Sequence, residues 1–266
     1  MKLTIIGGGN MGSAIVRGLL QGSIFKPEDI TVSDIHTEPL EALKKINPAL
    51  NTVLRNYNGI CDSDIILLAV KPWLISDVID DIKFQMDYGK QILVSIAAGV
   101  TVESIEKYLA KRTDEFTLPT IFRIIPNTAV AVRQSMTLIA SHNASSEQEE
   151  LLLKIFNELG NAILLDESKI AAGTALTSCG IAYLFRYVRA AMLAGVEMGF
   201  YPKEAQDMVV NTMLGAAELL KATGQNPETE IDKVTTPGGI TIKGLNELEA
   251  NGFSDAIIKA MKISKV

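Results

Sequence analysis

From its start to about residue 165 the chain alternates between short apolar runs and stretches in which apolar residues recur at helical spacing. Runs that are apolar at nearly every position are typical of parallel strands covered on both faces. They predict strands at residues 3–6, 30–32, 64–70, 91–96, 122–125, 136–140 and 162–165. Helices are predicted near residues 14–20, 37–46, 75–82, 101–109 and 145–159. This alternation is typical of a doubly wound α/β domain.

After Asp166 the strand pattern stops and long, largely apolar helical stretches follow. Helices are predicted at residues 168–198, 203–222, 240–250 and 255–263. The first of them is interrupted near Cys179 and Gly180. Helices this apolar need a partner on more than one face. We therefore expect two domains, 1–165 and 166–266, and the second is an all-α dimerisation domain in a homodimer or a higher homo-oligomer built from dimers.

A glycine motif of the form G-x-G-x-x-G, made by Gly7, Gly9 and Gly12, lies between the first strand and the first helix. The first glycine allows a tight turn, the second lets the backbone approach a pyrophosphate, and the third lets helix and strand pack closely. Asn10 and Met11 belong to the same turn. The motif predicts a dinucleotide site in a Rossmann-like domain; the alternative is a purely structural glycine turn.

Asp34 ends the second strand, where a carboxylate accepts hydrogen bonds from the ribose hydroxyls on the adenine side and repels a 2′-phosphate. No arginine follows it within the next turn. Asp34 therefore favours NADH over NADPH, although His36, Lys44 and Lys45 are near enough in sequence to reach a phosphate. The alternative is that Asp34 only caps the following helix.

Loops at the carboxyl ends of the other parallel strands are where a bound dinucleotide would pass. Small residues in the loop after strand 91–96 let a flat ring lie close to the backbone; alternatively, they only let a helix pack. A polar turn follows strand 122–125. The cofactor residues predicted in the loops after strands 64–70 and 91–96 are Ala69, Val70, Lys71, Pro72, Ala97 and Ala98.

A proline-glycine turn precedes the helix predicted at residues 240–250. Such a turn leaves unpaired backbone N–H groups at the positive end of a helix dipole, where a small carboxylate can bind. The alternative is an ordinary threonine N-cap on a surface helix. The residues of this turn and of the helix start are Thr236, Pro237, Gly238, Gly239, Ile240 and Thr241.

Composition narrows the class of protein. The net charge of -6 argues against a nucleic-acid partner. The uncharged run 170–185 is too short and too rich in Gly, Thr and Ser to span a bilayer, and no apolar signal segment opens the chain, so we expect a cytoplasmic protein without a membrane partner. Cys61 and Cys179 suggest neither a disulfide framework nor a metal site, and His36 and His142 lie in polar surroundings, so we expect catalysis without a histidine.

Over nearly its whole length the chain resembles the pyrroline-5-carboxylate reductases. The matching motifs are GGGNMGSAI at 7–15, AVKP at 69–72, VSIAAGV at 94–100, PNT at 126–128, AGVEMG at 194–199 and TPGGITI at 236–242 with the LEANGF that follows. The resemblance implies NAD(P)H-dependent reduction of the cyclic imine 1-pyrroline-5-carboxylate to L-proline, an intertwined dimer and a substrate site where the two domains meet. It also implies that the substrate carboxylate rests on the turn at 236–241, that Thr241 is the catalytic residue and hydrogen-bonds the ring nitrogen, that Asn56 lies by the adenine and that Asn127 approaches the nicotinamide.

The chain departs from the family pattern at three positions of the long helix. Ile181 replaces a proline, Arg189 replaces an acidic residue, and Leu193 stands where a second acidic residue is usual. These departures leave open a non-catalytic dinucleotide-binding regulator or a related imine reductase. A β-hydroxyacid dehydrogenase is a weaker alternative, because Thr177 occupies the position at which that class needs a catalytic lysine.

Overall fold

The computed structural model describes residues 1–55, 59–110 and 118–265. Within it the chain divides into two compact units, residues 1–178 with residue 265, and residues 179–264. The observed switch from strands to helices lies close to residue 165, whereas the division into units follows residue 178. The boundary of the two functional domains after residue 165 stays a prediction.

The first unit is built on a mostly parallel eight-stranded sheet in the order β3-β2-β1-β4-β5-β6-β7-β8. The strands are β1 (Leu3–Ile6), β2 (Ile30–Ser33), β3 (Asn51–Val53), β4 (Ile65–Leu68), β5 (Ile92–Ser95), β6 (Thr120–Ile125), β7 (Ser135–His142) and β8 (Gly160–Leu164). Neighbouring strands are parallel except for β6 and β7, which pair antiparallel through Phe122 opposite Ser141 and Ile124 opposite Ile139. The carboxyl ends of β1, β2, β4, β5 and β6 therefore share one edge of the sheet.

Helices cover both faces of this sheet. They are α1 (Asn10–Leu19), α2 (Thr37–Ile46), α3 (Ile75–Ile82), α4 (Val102–Leu109), α5 (Ser146–Asn157) and α6 (Glu167–Thr174). Strand β1 shows why two apolar layers form: Leu3 and Ile5 join the core with α1, α2 and α5, whereas Ile6 joins the core with α3 and α4. Successive side chains of a strand point to opposite faces, so an all-apolar strand requires a cover on each side. The predicted doubly wound fold is confirmed.

Helix α6 packs on the end of the sheet through Ile170, which is fully buried against Ile125 and Leu138. The fit is close, because a Cβ added at Gly173 would lie 2.5 Å from Leu138 Cδ1. The helix then passes into a π-helical turn at Ala175–Cys179. The predicted interruption of the long helix is therefore a π-helical turn.

The second unit is all-helical, as predicted. It contains α7 (Gly180–Glu197), α8 (Pro202–Thr223), α9 (Pro227–Val234), α10 (Ile240–Ala250) and α11 (Phe253–Ile263). Helices α7 and α8 approach closely where Gly195 faces Ala205, since a Cβ at Gly195 would lie 2.8 Å from the Ala205 Cβ. The Tyr183 hydroxyl hydrogen-bonds Ser264 and donates to the Ala260 carbonyl at 3.4 Å, which ties α11 to α7.

The most apolar window of the long helix through the π turn is largely exposed within the chain. Residues Glu167–Glu197 form a 31-residue helix. Its most apolar window of 18 residues has a mean hydropathy of 1.2, and 11% of that window is buried. In length and composition it is the one helix in the described part that is able to cross a membrane. The absence of a membrane partner, which rested on the shorter run 170–185, therefore stays a prediction.

Candidate functional site

Most of the predicted cofactor residues lie at one edge of the sheet. Because β1, β2, β4, β5 and β6 run parallel, the loops that follow them leave the sheet at the same edge. These loops carry the glycine motif, Asp34, residues 69–72, residues 97–98 and Asn127. Asn56, predicted beside the adenine, lies outside the described residues.

The glycine turn forms an open cradle at the start of α1. Gly7 has a φ of 109°, and a Cβ there would lie 2.5 Å from the Ala69 carbonyl oxygen. A Cβ at Gly12 would collide with the Gly7 carbonyl, whereas one at Gly9 would meet no atom within 4 Å. Local packing therefore requires glycine at Gly7 and Gly12, whereas Gly9 leaves free space above the turn.

Backbone donors face this free space. The N–H of Ser13 donates to the Gly9 carbonyl at 2.8 Å, so the N–H groups of Asn10, Met11 and Gly12 precede the first intrahelical bond and have no intrahelical acceptor. The first turn of α1 carries no acidic side chain. Unpaired donors at the positive end of a helix, with room above them, fit the pyrophosphate of a dinucleotide.

Asp34 is fixed against the glycine turn. Its Oδ2 accepts the Gly8 N–H at 2.7 Å, and its Oδ1 accepts the His36 N–H at 2.9 Å. The N-cap of α2 is His36, not Asp34, and no side chain caps that helix by a hydrogen bond, so the alternative that Asp34 caps α2 is wrong. Gly8 was not among the predicted cofactor residues, although its N–H orients this carboxylate; the run of three glycines was the available signal.

The side chains in the loops after β4 and β5 differ in their exposure to solvent. Lys71 is exposed. Trp73, which the prediction of site residues omitted, is 73% exposed in a short 3₁₀ turn that begins at Pro72. Ala97 is buried in the core with α3 and α4, so the packing alternative holds for its side chain. Ala98 is exposed. Of the two alanines, Ala98 is the one that a ligand can reach with its side chain.

Asn127 is almost completely engaged in structural hydrogen bonds. It is 8% exposed; its Oδ1 accepts the Ala129 N–H at 3.0 Å and its Nδ2 donates to the Thr177 carbonyl at 3.1 Å. Its N–H donates to the Ser135 Oγ at 3.1 Å. Its predicted approach to the nicotinamide therefore stays a prediction, and the structure gives it a second role as a link to the π turn.

The turn before α10, considered within the second unit, ends in an exposed helix N-terminus. Gly238 has a φ of 71°, and the Gly239 N–H donates to the Thr236 carbonyl at 2.9 Å. Gly239 is the N-cap of α10 and offers no side-chain hydrogen bond, so the alternative of a threonine N-cap at Thr241 is wrong. Three N–H groups at the start of α10 lack intrahelical acceptors. They belong to Ile240, Thr241 and Ile242.

Thr241 is the second residue of α10 and is exposed. Its hydroxyl has no hydrogen-bond partner among the residues that the structure describes. A neutral hydroxyl thus stands beside free backbone donors. This combination can bind a carboxylate through the backbone and a ring nitrogen through the side chain.

The three departures from the family pattern lie on α7. Ile181 is half-buried in a continuous helix, directly after the π turn. Arg189 is exposed and forms no ion pair within the described ranges, and Leu193 is exposed as well. Ile181 is therefore accommodated without a helix break. Nothing in the second unit alone explains the change of charge at Arg189.

Two family models match the chain. Residues 167–265 match the model described as pyrroline-5-carboxylate reductase dimerisation, and residues 2–99 match the model described as NADP oxidoreductase, coenzyme F420-dependent.

Curated relatives and a solved structure match nearly the entire chain. Pyrroline-5-carboxylate reductase 1 from Dictyostelium discoideum is 37% identical over 98% of this chain, which spans 48% of that relative's length. Pyrroline-5-carboxylate reductase from Methanosarcina acetivorans is 35% identical over 99% of this chain and 97% of its own length. The crystal structure of Plasmodium falciparum pyrroline carboxylate reductase with NADP bound has a TM-score of 0.88 and 28% identity, covering 99% of this chain and 95% of that one.

Proposed function

The chain belongs to the pyrroline-5-carboxylate reductase family and is an oxidoreductase, and from that premise we propose that it reduces 1-pyrroline-5-carboxylate to L-proline in proline biosynthesis. The observation that supports this reaction most is the turn before α10. An exposed helix N-terminus beside an unbonded threonine hydroxyl fits a small ring that carries one carboxylate. Membership of this family displaces the β-hydroxyacid dehydrogenase alternative.

The first unit would hold the nicotinamide dinucleotide. The N–H groups at the start of α1 would bind the pyrophosphate, and Gly9 leaves the space for it. Residues 69–72, Ala98 and Asn127 would line the path of the cofactor along the edge of the sheet. When bound, the reduced nicotinamide supplies a hydride to the imine carbon.

We propose that NADH is preferred over NADPH. Asp34 is held by two backbone N–H groups, so its negative charge has a fixed position beside the glycine turn. A carboxylate there accepts hydrogen bonds from ribose hydroxyls and repels a 2′-phosphate.

The second unit would hold the substrate. Thr236, Pro237, Gly238 and Gly239 shape the turn, and the backbone N–H groups that start α10 would bind the substrate carboxylate. The Thr241 hydroxyl would orient the ring by a hydrogen bond to its nitrogen. Threonine does not titrate, so the proton on the nitrogen comes from solvent or from a substrate that is already protonated. Positioning is then the main contribution of the protein.

The helical unit supports assembly into at least a homodimer. A match to a dimerisation family model coincides with helices that leave many apolar side chains exposed within one chain. We propose that a second copy covers them and that any larger oligomer is built from such dimers. A small molecule is then the other partner, and the expectations of a cytoplasmic location and of no membrane or nucleic-acid partner stay predictions.

A cofactor-oxidation assay tests both the reaction and the cofactor preference. We expect 1-pyrroline-5-carboxylate to trigger oxidation, faster with NADH than with NADPH. The Asp34→Asn variant keeps an acceptor for the Gly8 N–H but loses the charge, so it should raise the NADPH to NADH rate ratio by roughly 10-fold, equivalent to about 1.4 kcal/mol. The control Asp62→Asn removes an exposed carboxylate elsewhere and should leave the ratio unchanged.

Faster turnover with NADPH in the wild-type protein would refute the preference assigned to Asp34. The absence of oxidation with either cofactor would refute the reaction. Tight NADH binding without turnover of any cyclic imine would instead identify a non-catalytic dinucleotide-binding regulator.

A further inference from the structure

We propose that α6 and the π turn form a brace that positions two loops of the cofactor edge, with Glu167 and Asn127 as its positioning residues. The loops are the ones that follow β5 and β6, and their assignment to the nicotinamide side rests on the proposed function. The brace is defined here as residues 167–179. One end bonds to the first residue of α4, into which the loop after β5 leads, the other end bonds to the loop after β6, and the middle packs on the sheet.

At the first end, Glu167 bonds to the start of α4. Its Oε1 accepts the N–H of Val102 at 2.8 Å. Val102 is the first residue of α4, and the loop that contains Ala98 and Gly99 leads directly into it. The N–H of a first helical residue has no intrahelical acceptor, so the carboxylate supplies the missing bond and fixes the end of this loop.

Arg123 holds the same carboxylate from the sheet. Its Nη1 lies 3.1 Å from Glu167 Oε1, and Arg123 is 6% exposed at the centre of β6. Its Nε has no hydrogen-bond partner among the described residues. Removing the Glu167 carboxylate would therefore leave a buried charge without its counterion as well as an orphan N–H on α4.

At the other end, the π turn is hydrogen-bonded to the side chain of Asn127. The Asn127 Nδ2 donates to the Thr177 carbonyl, within the segment where the regular i→i−4 ladder is interrupted. The Asn127 Oδ1 caps the short helical turn that follows β6. One side chain thus joins the loop after β6 to the brace.

The middle of the brace is seated firmly, because Ile170 is fully buried and Gly173 has no room for a Cβ beside Leu138. A firmly seated element that bonds to the end of one loop, at Val102, and to the other loop, at Asn127, pre-positions both before the dinucleotide arrives. Pre-positioning lowers the cost of binding and does not alter the chemical step. Loss of the brace should therefore weaken dinucleotide binding much more than it slows turnover at saturating cofactor.

The test compares Glu167→Ala, Glu167→Gln and the matched control Glu103→Gln, which removes an exposed carboxylate on α4 that pairs with Lys107. Hydrogen exchange at the Val102 amide is measured in the free protein, and NADH affinity is measured by calorimetry. For Glu167→Ala we expect exchange at Val102 and the Kd for NADH each to rise roughly 10-fold, with kcat changed by less than about threefold. Glu167→Gln retains an acceptor and should restore most of the affinity, and Glu103→Gln should match the wild type.

A second pair of variants tests each end separately. Val102→Pro removes the N–H donor at a helix position that accepts proline and also replaces a buried valine side chain, and Asn127→Asp replaces the donor to Thr177 by an acceptor while keeping the cap. Each should raise the Kd for NADH severalfold. If Glu167→Ala folds and binds NADH with wild-type affinity, the proposal is overturned. If Glu167→Ala does not fold, wild-type affinity in both Val102→Pro and Asn127→Asp overturns it.

Neither exchange nor calorimetry requires imine turnover. A wild-type protein that binds NADH but does not reduce the imine would refute the proposed reaction and still allow the brace to be tested. Unchanged affinity in the variants of an active enzyme would refute the brace alone.

Discussion

At the scale of single residues, Thr241 carries the most specific chemical expectation. Its hydroxyl is exposed in the first turn of α10 and has no partner within the described part of the chain. Thr241→Ala should lower kcat by roughly 10-fold to 1000-fold, the range for one hydrogen-bonding or positioning group. Because the side chain is exposed, the free energy of unfolding should change by less than about 0.5 kcal/mol. Steady-state kinetics and thermal unfolding of the same preparation measure both.

The control for this substitution is Thr229→Ala, which removes an exposed threonine from α9 in the same unit. Thr241→Ser keeps a hydroxyl and should recover most of the lost rate. An unchanged rate in Thr241→Ala would remove Thr241 from the mechanism and leave the backbone donors of the turn as the only substrate contacts proposed there.

At the scale of elements, Tyr88 connects the turn after α3 to the end of α4. Its hydroxyl donates to the Leu109 carbonyl at 2.9 Å, which satisfies one of the last carbonyls of α4. Burial raises the pKa of Tyr88 from 10.0 to about 12. Between these values the unfolded chain loses the phenol proton while the folded protein keeps it, so this contribution to stability is present below pH 10 and is lost as the pH rises to 12.

Tyr88→Phe should lower the free energy of unfolding by about 1 kcal/mol near neutral pH, because it removes one hydrogen bond. It should also flatten the decline in stability above pH 10, because the phenol no longer titrates. Denaturant unfolding at a series of alkaline pH values measures the slope, and Tyr201→Phe, at a 76% exposed position, is the matched control. A slope equal to that of the wild type would show that Tyr88 does not set the alkaline limit.

The elements also show how far the sequence predicts this fold. The buried strands and most helices follow from apolar runs and helical spacing, because each must bury a face. Strand β3 was missed, since Asn51 and Thr52 form a short polar edge without an apolar run, and the polar α9 (PETEIDKV) was missed for the same reason. Local patterns report burial, and neither of these elements is held by a large buried face.

The site divides in the same way. The glycine motif and the turn before α10 are predictable because a backbone shape that needs glycine is written locally in the sequence. The bonds from Glu167 to Val102 and from Asn127 to Thr177 join residues 65 and 50 positions apart. No spacing rule indicates such pairs, so they require the folded structure.

At the scale of the whole molecule, the helical unit exposes many apolar side chains within one chain. Leu184, Phe185, Leu193, Leu214 and Leu219 are each more than half exposed on α7 and α8. Exposed apolar area of this extent marks an interaction surface. A second copy or a membrane can cover apolar side chains of this kind, and the dimerisation match favours the second copy.

We therefore predict that the wild-type protein has at least the mass of a dimer by light scattering and that Leu214→Asp weakens association. Burying a carboxylate in place of a 58% exposed leucine should raise the dimer dissociation constant roughly 100-fold, because the charge must lose water without a partner. Lys90→Glu, which changes the charge at an exposed ion pair of the first unit, should leave the mass unchanged. A monomeric wild-type protein would refute the dimer, and sedimentation of that protein with lipid vesicles would identify the membrane as the cover. Because monomers would expose α7 and α8 again, loss of the dimer should also lower the temperature of unfolding, and that link separates an interface from an incidental apolar patch.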